Sequence, residues 1–502
     1  MIEILDTTLR DGEQTSGVAF TSPEKLSILR LLIEELNVDR IEIASAKVSE
    51  GEHDAVKKMA QWAIREGYID RLEVLGFVDG DASLKWIQET GCRVVNLLCK
   101  GSLKHCKEQL RKTPEEHVAD IKKVIVIAQQ MNITVNIYLE DWSNGMLYSP
   151  EYVYFMIDLL KNCPVKRFML PDTLGILNPS NTSEFCRLMK DRYPDLQFDF
   201  HAHNDYDLAV GNVFAAVSSE ITGIHTTING LGERAGNAPL ASIIAILHDQ
   251  LKLKTNIIED NLNMVSRIVE SYSGIRIPNN KPVIGDSVFT QCAGIHADGD
   301  NKNNLYYNDL LPERFGRFRE YALGKMSGKS NIKKNLEALG IELDEDAMRQ
   351  VTDRIIELGD KKEVVTQEDL PYIIADVLRS ENTDKIKILN YSLCLTQGLR
   401  PTATVKIEIN GRVYEQTAPG DGQYHAFSKA LWKIYNNIGK PKPMLTDYNV
   451  NIPTGGRTDA LVQTTISWNF GGKDFKTRGL DVDQTGAAIK ATVKMLNLIE
   501  NM

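Results

Sequence analysis

The chain has 502 residues, 58 Lys+Arg against 68 Asp+Glu and a formal net charge of −10, with 42% hydrophobic and 25% charged residues. That length asks for two or three domains of a soluble globular protein, and the acidic balance argues against nucleic-acid and anionic-membrane binding. The opening MIEILDTTLRDGEQ lacks a basic, apolar leader and no run of about 18 apolar residues follows, so neither a secretory signal nor a membrane span is expected. The seven cysteines form no C-x-x-C pair. They suggest a cytoplasmic chain without a disulfide framework or zinc knuckle.

Short β-branched runs alternate with amphipathic helical stretches over roughly the first 260 residues. The predicted strands are Ile2–Leu5, Arg40–Ile43, Leu72–Leu75, Val94–Leu98, Thr134–Tyr138, Arg167–Leu170, Gln197–Phe200 and Gly223–Thr227. Helices are predicted between them, among others at Pro23–Leu36, Glu52–Glu66, Pro114–Met131, Pro150–Lys161, Asn181–Arg192 and Asp207–Ser219. Eight βα units in about 250 residues give an α/β fold, a (β/α)8 TIM barrel, over residues 1–262. An open doubly wound sheet offers no reason for eight. From 263 to 382 the strands stop, and helical patterns cover Asn331–Leu339, Asp344–Leu358 and Gln367–Leu378. This stretch is read as a helical linker.

Residues 383–502 repeat a strand–turn–strand–helix unit, which predicts an α+β module. The first copy runs through Ala403–Ile409, Asn410-Gly411, Arg412–Thr417 and Tyr424–Asn436. The second runs through Ala460–Trp468, Gly471-Gly472, Lys473–Thr477 and Gln484–Leu498. Asn-Gly and Gly-Gly between alternating runs are hairpin signals.

Polar clusters fall just past the predicted barrel strands, where the βα loops of such a barrel build its catalytic face. His201 and His203 stand at i and i+2 on strand seven, so both imidazoles point the same way. Asp11 and Asn237, past strands one and eight, could add oxygen donors, since those strands neighbour strand seven in a closed barrel. A mixed Asp/His/His/Asn set with open positions suits a divalent ion that also binds substrate oxygens. The cation of Arg10 would stabilise a developing oxyanion, unless it is a structural ion pair. Glu140 could orient groups or take a proton, or be a rim charge. Thr173 could donate to a substrate carboxylate or merely close a Pro-Asp-Thr turn. Glu233 reads as a metal-supporting acid or a helix-start acid. His296, in a Gly-flanked loop after the barrel, reads as part of a lid or as a contribution from a partner subunit.

The run Leu9-Arg10-Asp11-Gly12-Glu13-Gln14, with Lys25 beyond it, resembles the signature of the DRE-TIM metallolyases, more narrowly the α-isopropylmalate, homocitrate and citramalate synthases. The run from Phe198 to Asp205 resembles their second signature, departing at Asp207 where many members have Gly. Asn229–Asn237 (NGLGERAGN) resembles the third. The resemblance extends over the whole chain, including the C-terminal module, which looks like the family's amino-acid-sensing regulatory domain.

The resemblance implies an acyltransferase with acetyl-CoA as co-substrate and a divalent metal (Mn, Mg or Zn) held by Asp11, His201, His203 and Asn237. It implies Arg10 at the ketone or enolate oxygen, Glu140 and His296 in proton abstraction or relay without deciding which is the base, and Thr173 at the keto-acid carboxylate. Asp298 and Tyr306, with Tyr307 as rival for Tyr306, would reach in across a homodimer. The stretches around Asn136–Gly145 and Leu305–Lys329 are most similar to the citramalate synthases. Tyr138, with Leu75 and Leu98, would shrink the pocket to suit the methyl of pyruvate, the alternative being the 2-oxoisovalerate of an isopropylmalate synthase. A homocitrate synthase is a further alternative. By the same resemblance a branched-chain amino-acid effector, isoleucine or leucine, would meet Tyr424, Leu445, Tyr448, Ile452, Val462 and Gln484. The alternative for these six is module core, and His425 departs from the acidic residue expected beside Tyr424.

Overall fold

In the computed structural model, described for residues 2–300, 302, 305–360, 365–378, 385–451 and 462–501, eight parallel strands close into a barrel in chain order. They are β1 (Glu3–Asp6), β2 (Arg40–Ser45), β3 (Leu72–Phe77), β4 (Val94–Lys100), β5 (Thr134–Glu140), β6 (Val165–Asp172), β7 (Phe198–Ala202) and β8 (Gly223–Thr226). β8 pairs back onto β1 through Glu3–Gly223 to Asp6–Thr226, which leaves no sheet edge. Most strands run one or two residues further at the C-terminal end than their β-branched runs predict. Ser45, Lys100, Glu140 and Asp172 are strand residues, so the polar clusters lie partly on the rigid barrel itself.

Strand alternation sorts the side chains. On β5, Ile137 and Leu139 face the helices and join the large core between barrel and helix ring. Tyr138, between them, joins Leu5, Leu75 and Met169 in a separate apolar cluster with half-buried Leu98. The helices start on local signals. Before Pro114–Gln130, Thr113 N–H donates to Glu116 (2.8 Å) and Glu116 N–H donates to Thr113 Oγ1 (3.2 Å), a reciprocal cap.

The chain divides into two compact units, residues 1–290 with 302–320, and 291–301 with 321–502. Two two-residue strands, β9 (Thr290–Gln291) and β10 (Glu320–Tyr321), interrupt the stretch predicted to be strand-free. In the second unit, helices Lys329–Leu339, Glu345–Asp360 and Leu370–Val377 close around Ile332, Leu336, Val351, Ile355 and Leu370.

The repeated module has three strands per copy where the sequence pattern predicts two. β11 (Ile386–Cys394), β12 (Thr402–Ile409) and β13 (Arg412–Pro419) precede helix Gln423–Asn437. β14 (Met444–Asn451), β15 (Val462–Phe470) and β16 (Lys473–Asp481) precede helix Gln484–Asn501. The extra strands escape the pattern because their residues do not alternate. β11 buries only Ile386 fully, and β14 reads MLTDYNVN. The hairpin signals hold. Asn410 and Gly411 take φ of 51° and 75°, and Gly471 and Gly472 take 60° and 81°. No helix among the described residues is long and apolar enough to cross a membrane.

Candidate active site

The turn after β1 carries Arg10 and Asp11. Thr7 C=O accepts the N–H groups of Arg10 (3.1 Å), Asp11 (2.8 Å) and Gly12 (3.1 Å), and Thr8 N–H donates to Asp6 (2.9 Å). His201 is the fourth residue of β7, and His203 lies just beyond the strand in a bridge with Asn237. The loop around Asn237 is laid across the end of β7 by Ala238 N–H to Ala202 C=O (3.1 Å) and Asn204 N–H to Gly236 C=O (2.9 Å). Gly236 makes that fold feasible. Its φ is 86°, and a Cβ there would sit 2.0 Å from Gly230 O.

Asp11, His201 and His203 offer ligand atoms that all lie within 4.8 Å of one another. Asp11 Oδ2 is 3.2 Å from His201 Nε2 and 3.8 Å from His203 Nε2. Asn237 Nδ2 donates to Leu231 C=O (3.1 Å), which orients the amide. Both Asp11 oxygens, both His201 ring nitrogens, His203 Nδ1 and Asn237 Oδ1 are buried without a hydrogen-bond partner. Buried lone pairs left bare are costly, and a converging oxygen–nitrogen set of this kind fits a divalent cation. Burial works against charge at Asp11, but Arg10 and the two histidines override it and hold the carboxyl well below its usual range. Burial lowers His201 despite Asp11, and burial with neighbouring His201 lowers His203 to about 4. An ionised carboxylate beside neutral imidazoles is the protonation state a metal requires.

Burial disfavours the Arg10 cation, yet Glu42 and Asp11 outweigh it and raise its pKa. Arg10 Nε donates to Glu42 (2.5 Å), Nη1 lies 3.1 Å from Asp11, and buried Nη2 has no hydrogen-bond partner. Arg10 also stands over the Tyr138 ring at 5.9 Å, and that ring is 6.0 Å from His201. The apolar cluster of Leu75, Tyr138 and Leu98 therefore adjoins the donor set.

Glu140 ends β5 and pairs with Lys100 at the end of β4. Asp141 N–H donates to Thr173 Oγ1 (2.8 Å), leaving the threonine proton to donate elsewhere. Glu233 is mostly exposed and pairs with Arg234, which also bonds Asp205 and the Thr173 carbonyl. Tyr306 and Tyr307 lie in the first unit, both about two-fifths exposed, with Arg319 over the Tyr307 ring at 3.9 Å. His296 and Asp298 lie on helix Gly294–Asp300 of the second unit.

Among the effector candidates, Tyr424 and Tyr448 come together at 5.4 Å between ring centroids. Burial raises the Tyr448 pKa against side-chain hydrogen bonds with Gln484 and Thr464. Leu445 is largely exposed, Val462 is half-buried, and Ile452 lies outside the described residues.

The sequence pattern does not single out Glu42 or Lys100. Asn96 Nδ2 donates to Glu42 (2.8 Å) and Asn136 Nδ2 to Asn96 (2.8 Å), so a buried polar chain backs Arg10. The available signal was alternation itself. Glu42 and Lys100 occupy inward positions of strands whose outward positions are apolar.

Comparison with known proteins agrees with this architecture. An HMGL-like family model matches residues 1–269, a homocitrate synthase post-HMGL domain-like model 283–363, and a LeuA allosteric (dimerisation) domain model 364–500. The chain is 32% identical over 506 residues to the (R)-citramalate synthase CimA of Methanocaldococcus jannaschii, covering 100% of both chains. It is also 32% identical over 504 residues to the 2-isopropylmalate synthase of that organism, covering 99% of this chain and 94% of the relative. The chain belongs to the HMGL-like, DRE-TIM metallolyase family, among its acyltransferases of the citramalate and isopropylmalate synthase type.

Proposed function

We propose that the chain condenses acetyl-CoA with pyruvate to give (R)-citramalate and CoA. The observation that carries the choice of pyruvate is the cluster of Leu75, Tyr138 and Leu98 beside Arg10 and His201. Three bulky side chains there would narrow the site, favouring a methyl group over an isopropyl group. One methylene of fit is worth about 1–3 kcal/mol, enough to rank two oxo acids and no more.

Asp11, His201, His203 and Asn237 would hold a divalent ion (Mn, Mg or Zn), which when bound supplies Lewis-acid polarisation of the 2-oxo acid. Thr173 donates its free hydroxyl proton to the oxo-acid carboxylate. The acetyl methyl group gives a proton to Glu140 or His296. Its carbanion forms the new bond to the 2-oxo carbon, and the ketone oxygen takes up the electron pair. Arg10, held charged by Glu42 and with Nη2 unpartnered, meets that oxygen. Water then cleaves the thioester and CoA leaves as the thiol. His296, Asp298 and Tyr306 complete the site across a homodimer.

The domain plan is a barrel over 1–262, a helical linker over 263–382 and a regulatory module over 383–502. The module, built around Tyr424, Tyr448 and Gln484, binds a branched-chain amino acid that restrains turnover in a cytoplasmic biosynthetic route. Thiol release measured over pyruvate, 2-oxoisovalerate and 2-oxoglutarate tests the reading. Release with pyruvate supports it, and release with 2-oxoisovalerate alone replaces it with an isopropylmalate synthase.

A further inference from the structure

We propose that Lys100 is a positioning residue for Glu140, fixing its carboxylate over the mouth of the substrate pocket. The inference rests on the synthase reading above and adds a residue to its machinery. The β4–β5 register pairs Leu98 with Tyr138 and, one inward step later, Lys100 with Glu140. Because alternate residues share a face, the ion pair stands directly above two walls of the apolar cluster. Lys100 Nζ is bonded to Glu140 Oε2, with side-chain exposures of 9% and 25%.

The asymmetry of burial is informative. A largely buried ammonium is costly unless a carboxylate meets it, so Lys100 is committed to Glu140. A quarter-exposed glutamate has no such need and, without Lys100, turns outward into water.

Both ends of the pair stand on locked backbone. Lys100 N–H donates to His117 Nε2 (3.1 Å), and its carbonyl accepts from the Tyr152 hydroxyl (2.9 Å). Gly101 N–H donates to the Glu140 carbonyl at 2.6 Å, and a Cβ on Gly101 would lie 2.5 Å from Leu139 O, so no larger residue fits between the strand ends. On the other side Asp141 is held at φ 67°. Its side chain accepts from Ser102 (2.6 Å) and Asn144 (2.7 Å), and its N–H donates to Thr173. A non-glycine residue in the left-handed region persists only where its surroundings over-determine it. Here four hydrogen-bonded or packed neighbours set the direction in which Glu140 leaves the strand, and Lys100 sets where its carboxylate ends. A group that handles a proton in the reaction needs that precision.

The test is a cycle of K100M, E140Q and the double variant, with K100R as the conservative replacement, assayed by CoA release. K100M is expected to lower kcat by about 10–100-fold while leaving KM for the oxo acid within about 3-fold. K100R recovers most of the loss. In the E140Q background, K100M costs less than about 2-fold more, because Lys100 acts through Glu140. If K100M does not fold, as judged by circular dichroism, K100Q is compared within the E140Q background. Equal kcat supports the role, and a further 10-fold loss overturns it. Full activity of K100M, a loss carried by KM alone, or equal losses with and without Glu140 also overturn it. The wild-type chain separates the two levels of the argument. If it turns over no oxo acid, the synthase reading falls. If it does and K100M matches it, this inference alone falls.

Discussion

At the N-terminal end of the barrel lumen, Arg40 Nη2 donates to Asp199 (2.5 Å), Arg40 Nη1 to Glu73 (3.1 Å) and Arg167 Nη1 to Asp199 (3.0 Å), while His225 Nε2 lies 3.3 Å from the same carboxylate. At the C-terminal end, Asp11, His201, His203 and Asn237 are also buried, yet both Asp11 oxygens, both His201 ring nitrogens, His203 Nδ1 and Asn237 Oδ1 have no hydrogen-bond partner. Both ends are built from carboxylates, arginines and histidines, and β7 supplies Asp199 below and His201 above. In the lower cluster each carboxylate meets an arginine, and the buried atoms left without a hydrogen-bond partner are ring or guanidinium nitrogens, Arg40 Nε, Arg167 Nε and His225 Nδ1. The upper one has Arg10 beside Asp11, yet its carboxylate, imidazole and amide acceptors converge without hydrogen-bond partners. The difference identifies function by what each cluster lacks rather than by its composition.

The sharpest way to break the comparison is to exchange the costs. His203→Ala is expected to abolish turnover while leaving the far-UV circular dichroism and the melting transition near wild type, because no paired charge is stranded. Collapse of the fold would mean that the upper cluster is structural. Asp199→Asn is the converse. It takes the shared carboxylate from Arg40 and Arg167, leaving them only Glu73 and Glu3, and should cost about 3 kcal/mol of stability, read from denaturant midpoints. KM for the oxo acid should stay unchanged in the folded fraction.

Arg10→Gln tests the cation beside Asp11. It should cost about 10²–10³-fold in kcat, because an oxyanion donor is lost. A change confined to KM would reassign Arg10 to ground-state binding.

The smallest effect is one of pH. Burial pushes Asp199 up, but Arg40, His225 and Arg167 prevail and hold its folded pKa below the ordinary 3.8. The unfolded chain therefore binds the proton first as pH falls. The contribution of Asp199 is full above about pH 4 and is lost below it as pH drops through the folded value. The stability gap between wild type and Asp199→Asn should narrow as pH falls from about 5 to 2. A gap that widens would contradict the pairing.

The upper cluster was legible in the sequence and the lower one was not, for a physical reason. His201 and His203 two apart at a strand end, Asp11 after β1 and Asn237 after β8 are polar residues where a barrel exposes its loops, so position alone singles them out. Arg40, Glu73, Arg167 and Asp199 sit early in their strands, where a charge reads as surface, and only closure of the barrel turns them inward together. The eight strands were legible because β-branched runs are short and regularly spaced. β11 and β14 were missed because strands with one weakly buried face leave no alternation to read. Lys100 was missed because its meaning lies in register with Glu140, forty residues away along the chain.

The central claim is that the upper cluster is a metal-dependent site for joining acetyl-CoA to a 2-oxo acid. It is tested most directly by following thiol release from acetyl-CoA and pyruvate with the chelator-stripped protein, before and after Mn is restored. The account predicts no release from the stripped chain, release on adding the ion, and none from His203→Ala under either condition. Undiminished release from the stripped chain, or none with any oxo acid after the ion is restored, would contradict it.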